Sequence, residues 1–371
     1  DGGYVRAGAL FFDDGEIKPS GGLYYGGKLG PGRILIGANV QGRYNPKNKF
    51  SLRYDDSPEN NPNYATDDFD NREDQKDVRN GTDYAGNISW GIDDGENRFE
   101  ISGNYVRTER EQIERSFEYN DPTAITGPVR VNADGTLLTD NFNPLYITQE
   151  SWSLSLKADK EWSAGKTKLR AGFASFSDDQ EEFEHEIDFD RSTPRYTGDK
   201  GLYRVQDKEF SVQLEHEVLL GDDLKFAVGG FIQDKTRDTD ISEVRNRFSV
   251  SNTTLAGYSQ FSGNPANYAT LFPATVATPG GLNRIEEDRR DAYALIEGKT
   301  GPVKFELGLR VESTNVRIDD KTVAAGTGLI DVDYTHLLPS AAVKVDLGQG
   351  RLTASAARTV REGLSRLEVA A

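Results

Sequence analysis

The chain alternates between apolar and polar residues with a period of two, and this pattern recurs from one end to the other. The clearest examples are Leu224–Gln233 and Lys304–Glu312. Successive side chains on a β-strand point to opposite faces, so the alternation predicts strands with one apolar and one polar face. A chain of this kind is expected to fold into sheets and to bury or shield one face of each strand.

The connections between the predicted strands are of two kinds that take turns along the chain. Short turns contain Asp, Gly and Pro, as at Asp93–Asn97, Gly221–Asp223 and Thr300–Pro302. The long polar connections are Asp56–Asp83, Thr108–Gln149, Ser177–Asp207, Arg237–Arg290 and Arg317–Leu338. Because the long connections alternate with short ones, they are expected to emerge at one end, as extracellular loops of a membrane barrel do. A soluble β-sandwich or solenoid would also alternate in polarity but has no reason to alternate its loop lengths.

About fourteen strands are predicted, and the fold class is all-β, an antiparallel up-and-down transmembrane β-barrel. A tight turn is expected at Asn45–Asn48, between strands Ile34–Tyr44 and Lys49–Asp55. The remaining predicted strands are Tyr4–Phe12, Gly21–Lys28, Tyr84–Ile92, Arg98–Arg107, Glu150–Asp159, Lys168–Phe176, Lys208–Leu219, Leu224–Thr236, Asp291–Lys299, Val303–Val316, Pro339–Leu347 and Arg351–Val360. The predicted location is the bacterial outer membrane.

Composition narrows the functional classes. The formal charge of -17 disfavours nucleic acid, whose phosphates require a basic surface. The absence of cysteine excludes disulfides, thiolate metal sites and a cysteine nucleophile. No continuous apolar run is long enough for a transmembrane helix. No signal peptide is visible and Asp1 is not an initiator residue, so we expect a mature product or a fragment.

Three stretches are similar in sequence to a known family. Tyr334–Ser340, followed by Ala341–Leu347, resembles a late barrel strand of TonB-dependent outer-membrane receptors, and Ala356–Arg361 resembles the Arg-Thr-Val-Arg run that follows in that family. Asn45–Tyr54 resembles an early barrel hairpin of the same receptors. The resemblance implies a barrel of about 22 strands, of which residues 1–371 would be a part.

The same resemblance implies elements that this sequence does not match. Receptors of the family have an N-terminal plug domain and a TonB-contacting segment before it, and nothing here resembles either. The expected aromatic C-terminus and a proline after the Arg-Thr-Val-Arg run are also absent. The expected partners are outer-membrane lipid, lipopolysaccharide and an extracellular small ligand, with the TonB complex expected only for the full-length receptor.

Two predicted loops are rich in carboxylates, which are the ligands that Ca²⁺ prefers. The candidates are Asp67, Asp68, Asp70, Glu181, Glu182 and Glu184. Neither run has the spacing of an EF-hand, and a solvated loop explains both. No metal or cofactor is therefore predicted.

No catalytic constellation is predicted. The three histidines, His185, His216 and His336, are far apart in sequence, and only His185 has carboxylate neighbours that could pair with it. Local crowding of charges explains that neighbourhood, so the chain is not expected to be an enzyme.

Aromatic residues in the predicted loops are candidates for ligand contact, or they pack the loops on one another. They include Tyr64, Phe69, Tyr119, Tyr146, Tyr196 and Tyr258. The favoured function is TonB-dependent uptake of a scarce siderophore, saccharide or peptide through a polar lumen. The alternative is a passive porin-like barrel, or a structural or assembly barrel of the outer membrane.

Overall fold

In the computed structural model, which describes residues 1–54, 69–123, 136–249 and 271–360, the chain forms one antiparallel sheet. Thirteen strands follow one another in chain order, each paired with its sequence neighbours. Their bounds are β1 Gly2–Phe11, β2 Ile17–Leu29, β3 Gly32–Tyr54, β4 Phe69–Asp93, β5 Asn97–Tyr119, β6 Leu137–Trp162, β7 Gly165–Asp188, β8 Arg195–Leu219, β9 Leu224–Ser249, β10 Val276–Thr300, β11 Val303–Asp320, β12 Leu329–Asp346 and β13 Arg351–Ala357.

The up-and-down antiparallel topology is confirmed, and the strand count differs by one. The predicted turn at Asn45–Asn48 is wrong, because these residues lie inside β3 and pair with β4, Pro46 opposite Val78. The pairing of β2 with β3 ends at Gln41, so Pro46 lies where β3 has only one described neighbour. Proline lacks the N–H that a central strand needs, and a free strand edge tolerates it.

The predicted long loops are mostly strand. The strands β4 to β10 are 23 to 26 residues long, about twice what a tilted membrane strand requires. The connection of β7 to β8 is reduced to residues 189–194, and that of β11 to β12 to residues 321–328. Polar residues on both faces concealed these extensions, since the sequence pattern marks a strand only where one face is apolar.

The two ends of the sheet have different connections. At one end the strands are joined by tight turns, and Gly95, Gly221, Gly301 and Gly348 lie in four of them with φ between +56° and +90°. Such backbone conformations favour glycine because it lacks a Cβ. At the other end lie the longer connections. We call the strand segments next to the tight turns the turn half and the remainder the loop half; in β5 they are residues 97–106 and 107–119.

The pairing register assigns every strand residue to one of two faces. Leu154 of β6 lies opposite Phe173 of β7, which lies opposite Phe210 of β8, and these residues define the apolar face. The alternate residues, among them Lys168 and Glu215, define the polar face. Large apolar side chains on the apolar face of the turn half are exposed, for example Leu154 at 48% and Leu214 at 53%.

Aromatic residues border this exposed apolar surface at two levels. Near the tight turns Trp90 and Phe99 make an edge contact, with ring centroids 6.1 Å apart. Further along, Tyr105 pairs with Trp152, whose ring lies 4.8 Å from that of Phe173. Phe99 and Tyr105 are about 20 Å apart along β5. An apolar band between two aromatic rows is the surface that a transmembrane barrel presents to lipid.

Candidate ligand-facing surface

The polar face of the turn half is covered by paired charges. Lys168 of β7 binds Glu215 and Glu217 of β8, at 3.0 and 2.5 Å between Nζ and the carboxylate oxygens. Lys225 of β9 binds Glu297 of β10 at 2.9 Å and lies 3.6 Å from Glu217. These ion pairs form a belt across four strands, and each charged group in the belt has an oppositely charged partner.

A tyrosine and a second set of ion pairs extend this belt. The Tyr293 hydroxyl donates to Glu215 at 2.6 Å and accepts from the Gln213 amide at 3.0 Å. Asp291, whose side chain is fully buried, binds Arg289 and Arg310. A buried carboxylate needs such partners, because an unpaired buried charge is costly. The polar face is therefore a fixed arrangement of donors and acceptors.

The polar face continues into the loop half with further ion pairs. On β3 to β5, Glu73 accepts from Lys49 at 2.9 Å and from Arg53 at 2.7 Å, and Arg53 also binds Glu118 at 2.7 Å. The hydrogen bond that Arg53 donates to Glu118 raises the pKa of Arg53, burial opposes this, and the charge of Glu73 raises it further.

On β7 to β9 carboxylates outnumber their partners. Glu182 and Glu184 are exposed on β7, Asp199 lies opposite Glu184 on β8, and Arg245 of β9 binds Asp199 at 2.6 Å. The pKa of Glu184 is raised, first by the partial desolvation of its carboxylate and then by the charges of Glu182 and Asp199. We call these four residues, with Glu243, the acidic surface.

The acidic run predicted as a loop lies on β7, and strand alternation divides it. Glu182 and Glu184 lie on the polar face, whereas Glu181 lies on the other face and binds Lys200 at 2.7 Å. Asp70 lies at the start of β4, while Asp67 and Asp68 fall outside the described residues. Within the described ranges no group of three or more His, Asp or Glu side chains is arranged to hold a metal ion.

The apolar face of the loop half contains a buried aromatic cluster, which the sequence did not reveal. Its members share near-complete burial and come from β5 to β8 and the residue after β7: Tyr119, Leu137, Phe142, Phe183, Ile187, Phe189 and Tyr196. Phe272, from the connection between β9 and β10, lies 5.8 Å from the Phe183 ring. Connecting segments thus pack against this face above the level of the exposed apolar band.

His185 lies inside this aromatic cluster and not among carboxylates. Its ring is parallel to that of Phe183 at 6.1 Å, and its Nδ1 shares a 2.8 Å hydrogen bond with the Tyr196 hydroxyl. Burial, followed by the positive charge of Arg115, lowers the pKa of His185 to about 4. The carboxylates that flank His185 in sequence are not its neighbours in space, because Glu184 and Glu186 project from the opposite face of the strand.

The aromatic ligand candidates are divided in the same way. Tyr119 and Tyr196 are 2% and 0% exposed and belong to the aromatic cluster. Tyr146 packs partly buried against it, and Phe69 begins β4 beside Tyr54. Tyr64 and Tyr258 lie outside the described residues.

The structure has no helix that is long and apolar enough to cross a membrane among the residues it describes. No match to the chain is found among curated protein sequences. Among solved structures, it is similar to the siderophore receptor PiuA from Acinetobacter baumannii, with a TM-score of 0.47 and 13% sequence identity. That similarity covers 94% of this chain and 48% of the receptor, so the chain spans about half of the receptor's length.

A family model decides the assignment. The model "TonB dependent receptor-like, beta-barrel" matches residues 130–367, which is more than half of the chain and includes most of the apolar band and the ion-pair belt. Proteins of this family are receptors and transporters of the outer membrane. The chain therefore belongs to the β-barrel family of TonB-dependent receptors and is an outer-membrane protein.

Proposed function

We propose that this chain forms part of the barrel wall of a receptor that takes up a scarce extracellular ligand with energy supplied through TonB. The observation that supports this is the continuous polar face, which runs through the membrane level as a belt of paired charges and opens into the acidic surface. In the family's barrels the short turns face the periplasm and the longer connections face outside. The loop half would then receive the ligand.

The acidic surface is the proposed capture region. Glu182 and Glu184 are exposed and rich in acceptor oxygens, and Arg245 supplies donors beside Asp199. Such a mixed surface suits a ligand that offers several hydrogen-bond donors or a positive group, within the siderophore, saccharide and peptide classes. Tyr119 and Tyr196 are not part of this proposal because both are buried.

Passage through the barrel would follow the ion-pair belt. Because each of Lys168, Glu217 and Lys225 already has an oppositely charged partner, a moving ligand would exchange hydrogen bonds without meeting an unpaired charge. A plug domain, supplied by sequence outside residues 1–371, would have to move before the ligand enters. The domain assignment we favour is a partial barrel that covers residues 1–371.

The test is ligand uptake by cells that produce the protein containing this barrel, with and without TonB. Labelled ferric siderophores, oligosaccharides and peptides are supplied at limiting concentrations. The proposal expects saturable uptake of one class, which disappears without TonB or after a protonophore. Uptake that rises linearly with concentration and is indifferent to TonB would instead identify a passive channel.

A variant pair locates the capture region. Glu184→Gln removes an exposed carboxylate from the acidic surface, and Asp179→Asn removes one from the opposite face of the same strand. If the acidic surface binds ligand, Glu184→Gln raises the half-saturation concentration about tenfold, the cost of one charge-assisted hydrogen bond. Asp179→Asn is expected to leave it unchanged, and equal effects of both variants would contradict the assignment.

A further inference from the structure

The apolar face of the turn half is indented between β8 and β11. The indentation is a shallow groove of about 700 Å³ with a predominantly apolar lining. Larger side chains form its walls and small residues form its floor; they are Val212, Leu214, Val228, Ile232, Ala292 and Val311, with Gly230 between them. It lies on the face that the outer membrane's lipid contacts.

The floor of the groove is open for a reason that packing does not explain. A Cβ added at Gly230 would meet only the Asp291 backbone oxygen, at 3.5 Å, which is an ordinary contact. The neighbouring Gly229 differs, because a Cβ there would lie 2.4 Å from the Tyr293 ring. Gly229 is therefore required by the fold on the polar face, whereas Gly230 leaves empty space on the apolar face.

A cation marks the loop-side end of the groove. Arg290 lines it, is exposed, and lies opposite Ile232 and Ser313 in the two adjacent strands. Among the described residues its guanidinium takes part in no ion pair within 4 Å, unlike Arg289 beside it, which binds Asp291 and Glu312. Its charge does act on the Asp288 carboxylate, two residues away on the same face. An arginine without a close ion pair at the edge of an apolar band suits a phosphate at the lipid headgroup level.

We propose that this groove binds one acyl chain of a phosphorylated outer-leaflet glycolipid, with the lipid phosphate on the Arg290 guanidinium. The apolar walls contact the acyl chain. Each methylene in the groove gains van der Waals contacts with fixed side chains in place of contacts with mobile lipid. The positive group selects a lipid that has a phosphate at the same depth. The site is separate from the polar face and does not depend on the proposed uptake function.

Two carboxylates next to Arg290 restrict which lipid headgroup can bind. Asp288 and Asp234 lie opposite each other one step beyond Arg290 on the same face. A second phosphate placed there would be repelled unless a divalent cation bridged it to the carboxylates. Binding is therefore expected to be stronger with Mg²⁺ than with a chelator.

The experiment measures binding of diphosphorylated lipid A to the refolded full chain in detergent by native mass spectrometry, with Mg²⁺ and with EDTA. Arg290→Gln and Gly230→Leu are each expected to lower the affinity at least about fivefold. Matched controls are Arg284→Gln, a paired arginine on the same face of β10, and Gly103→Leu, an apolar-face glycine of β5 with ordinary contacts at 3.6 Å. Both controls are expected to retain the affinity of the unmodified chain.

Several outcomes would overturn the proposal. One is unchanged lipid retention in both groove variants, and another is an equal loss in the two controls, which would indicate general weakening of the barrel. Competition by inorganic phosphate alone, or equal binding of unphosphorylated lipid, would also overturn it. If Gly230→Leu lowers the β content measured by circular dichroism, Ala292→Leu replaces it, because Ala292 is exposed on the same floor.

Discussion

The apolar face of these strands has different surroundings in the turn half and in the loop half. On the apolar face of the turn half, Leu154 and Leu214 are about half exposed, and the solvent that accepts them is lipid. On the same face of the loop half, Phe183 and Tyr196 are almost completely buried. One continuous face is thus apolar toward lipid at one level and covered by protein at the next.

Contact with water, and not strand pairing, decides which part of the apolar face is buried under other residues of the chain. In the membrane, apolar side chains need no covering because lipid is itself apolar. Above the membrane the same face meets water, and burial of its aromatic residues is favourable by about 25 cal/mol per Å². The aromatic cluster is therefore the part of this protein that resembles the core of a soluble domain.

The largest expected effect comes from removing bulk in the aromatic cluster. Phe183→Ala is expected to destabilise the loop half by about 3–5 kcal/mol, because a cavity would remain beside His185 and Phe272. Limited proteolysis in lipid vesicles, with urea titration, would measure this. Leu214→Ala, on the exposed apolar band, is the matched control and is expected to cost much less. Equal costs would show that the two halves do not differ as argued.

A charge on the apolar face tests the comparison from the other side. Leu154→Arg is expected to cost about 2–4 kcal/mol because the side chain faces the membrane interior. Val276→Arg, at an exposed position in the loop half, is expected to change stability by less than about 0.5 kcal/mol. Folding equilibria into lipid vesicles would compare the two. A small effect at Leu154 would place it outside the bilayer.

Acidification is expected to loosen the loop half before the turn half. The unfolded His185 titrates near 6.5 and the folded one near 4, so the unfolded form binds the proton preferentially between these values. Stability is complete above pH 6.5 and decreases as pH falls, by about 2 kcal/mol at pH 5. Hydrogen exchange of β7 and β8 at pH 7.5 and 5 would detect this.

The control for acidification is His216 of the turn half, which shares a hydrogen bond with Thr167. His185→Phe should abolish most of the difference between the two pH values in β7 and β8. His216→Gln, which removes a hydrogen bond to Thr167, should leave that difference unchanged. Persistence of the full effect in His185→Phe would assign it to the carboxylates.

The smallest effect is expected for ion pairs on the wet part of the polar face. Glu73, whose side chain is 10% exposed, binds Lys49 and Arg53, whose side chains are 56% and 42% exposed, so Glu73→Gln leaves both cations in contact with water. The expected loss is at most about 1 kcal/mol and should shrink at high salt, because the exposed cations are screened by solvent ions. Urea titrations at low and high salt would measure it. A loss that is large and independent of salt would indicate that solvent does not reach these ion pairs.

Sequence reasoning found the strands of the turn half because lipid imposes a strict alternation there, as in 224–233 and 304–312. It missed the loop half because both faces of those segments contain polar residues, so that no alternation distinguishes a strand from a polar loop. The turn predicted at Asn45–Asn48 is wrong for a related reason. Its residues favour turns locally, but pairing with β4 overrides that preference, and no described strand pairs with the other edge of β3 at this point.

The candidate surface was less accessible to sequence reasoning than the fold. The acidic run of β7 was visible, but its division between two faces required the register that places Glu184 opposite Asp199. In the sequence, His185 lies between carboxylate residues. Knowing that it was on a strand would have placed those neighbours on the other face.

Local features of the sequence were enough to assign the fold class and the family of this protein. Its two-residue period, its alternating tight turns and the stretches that resemble TonB-dependent receptors were sufficient, because lipid contact and turn chemistry act on local residues. Only the tertiary structure decided the length of the strands, the burial of His185 and the partners of Lys168 and Asp291. Those features depend on cross-strand register, which joins residues far apart in the chain and is fixed by the whole sheet at once.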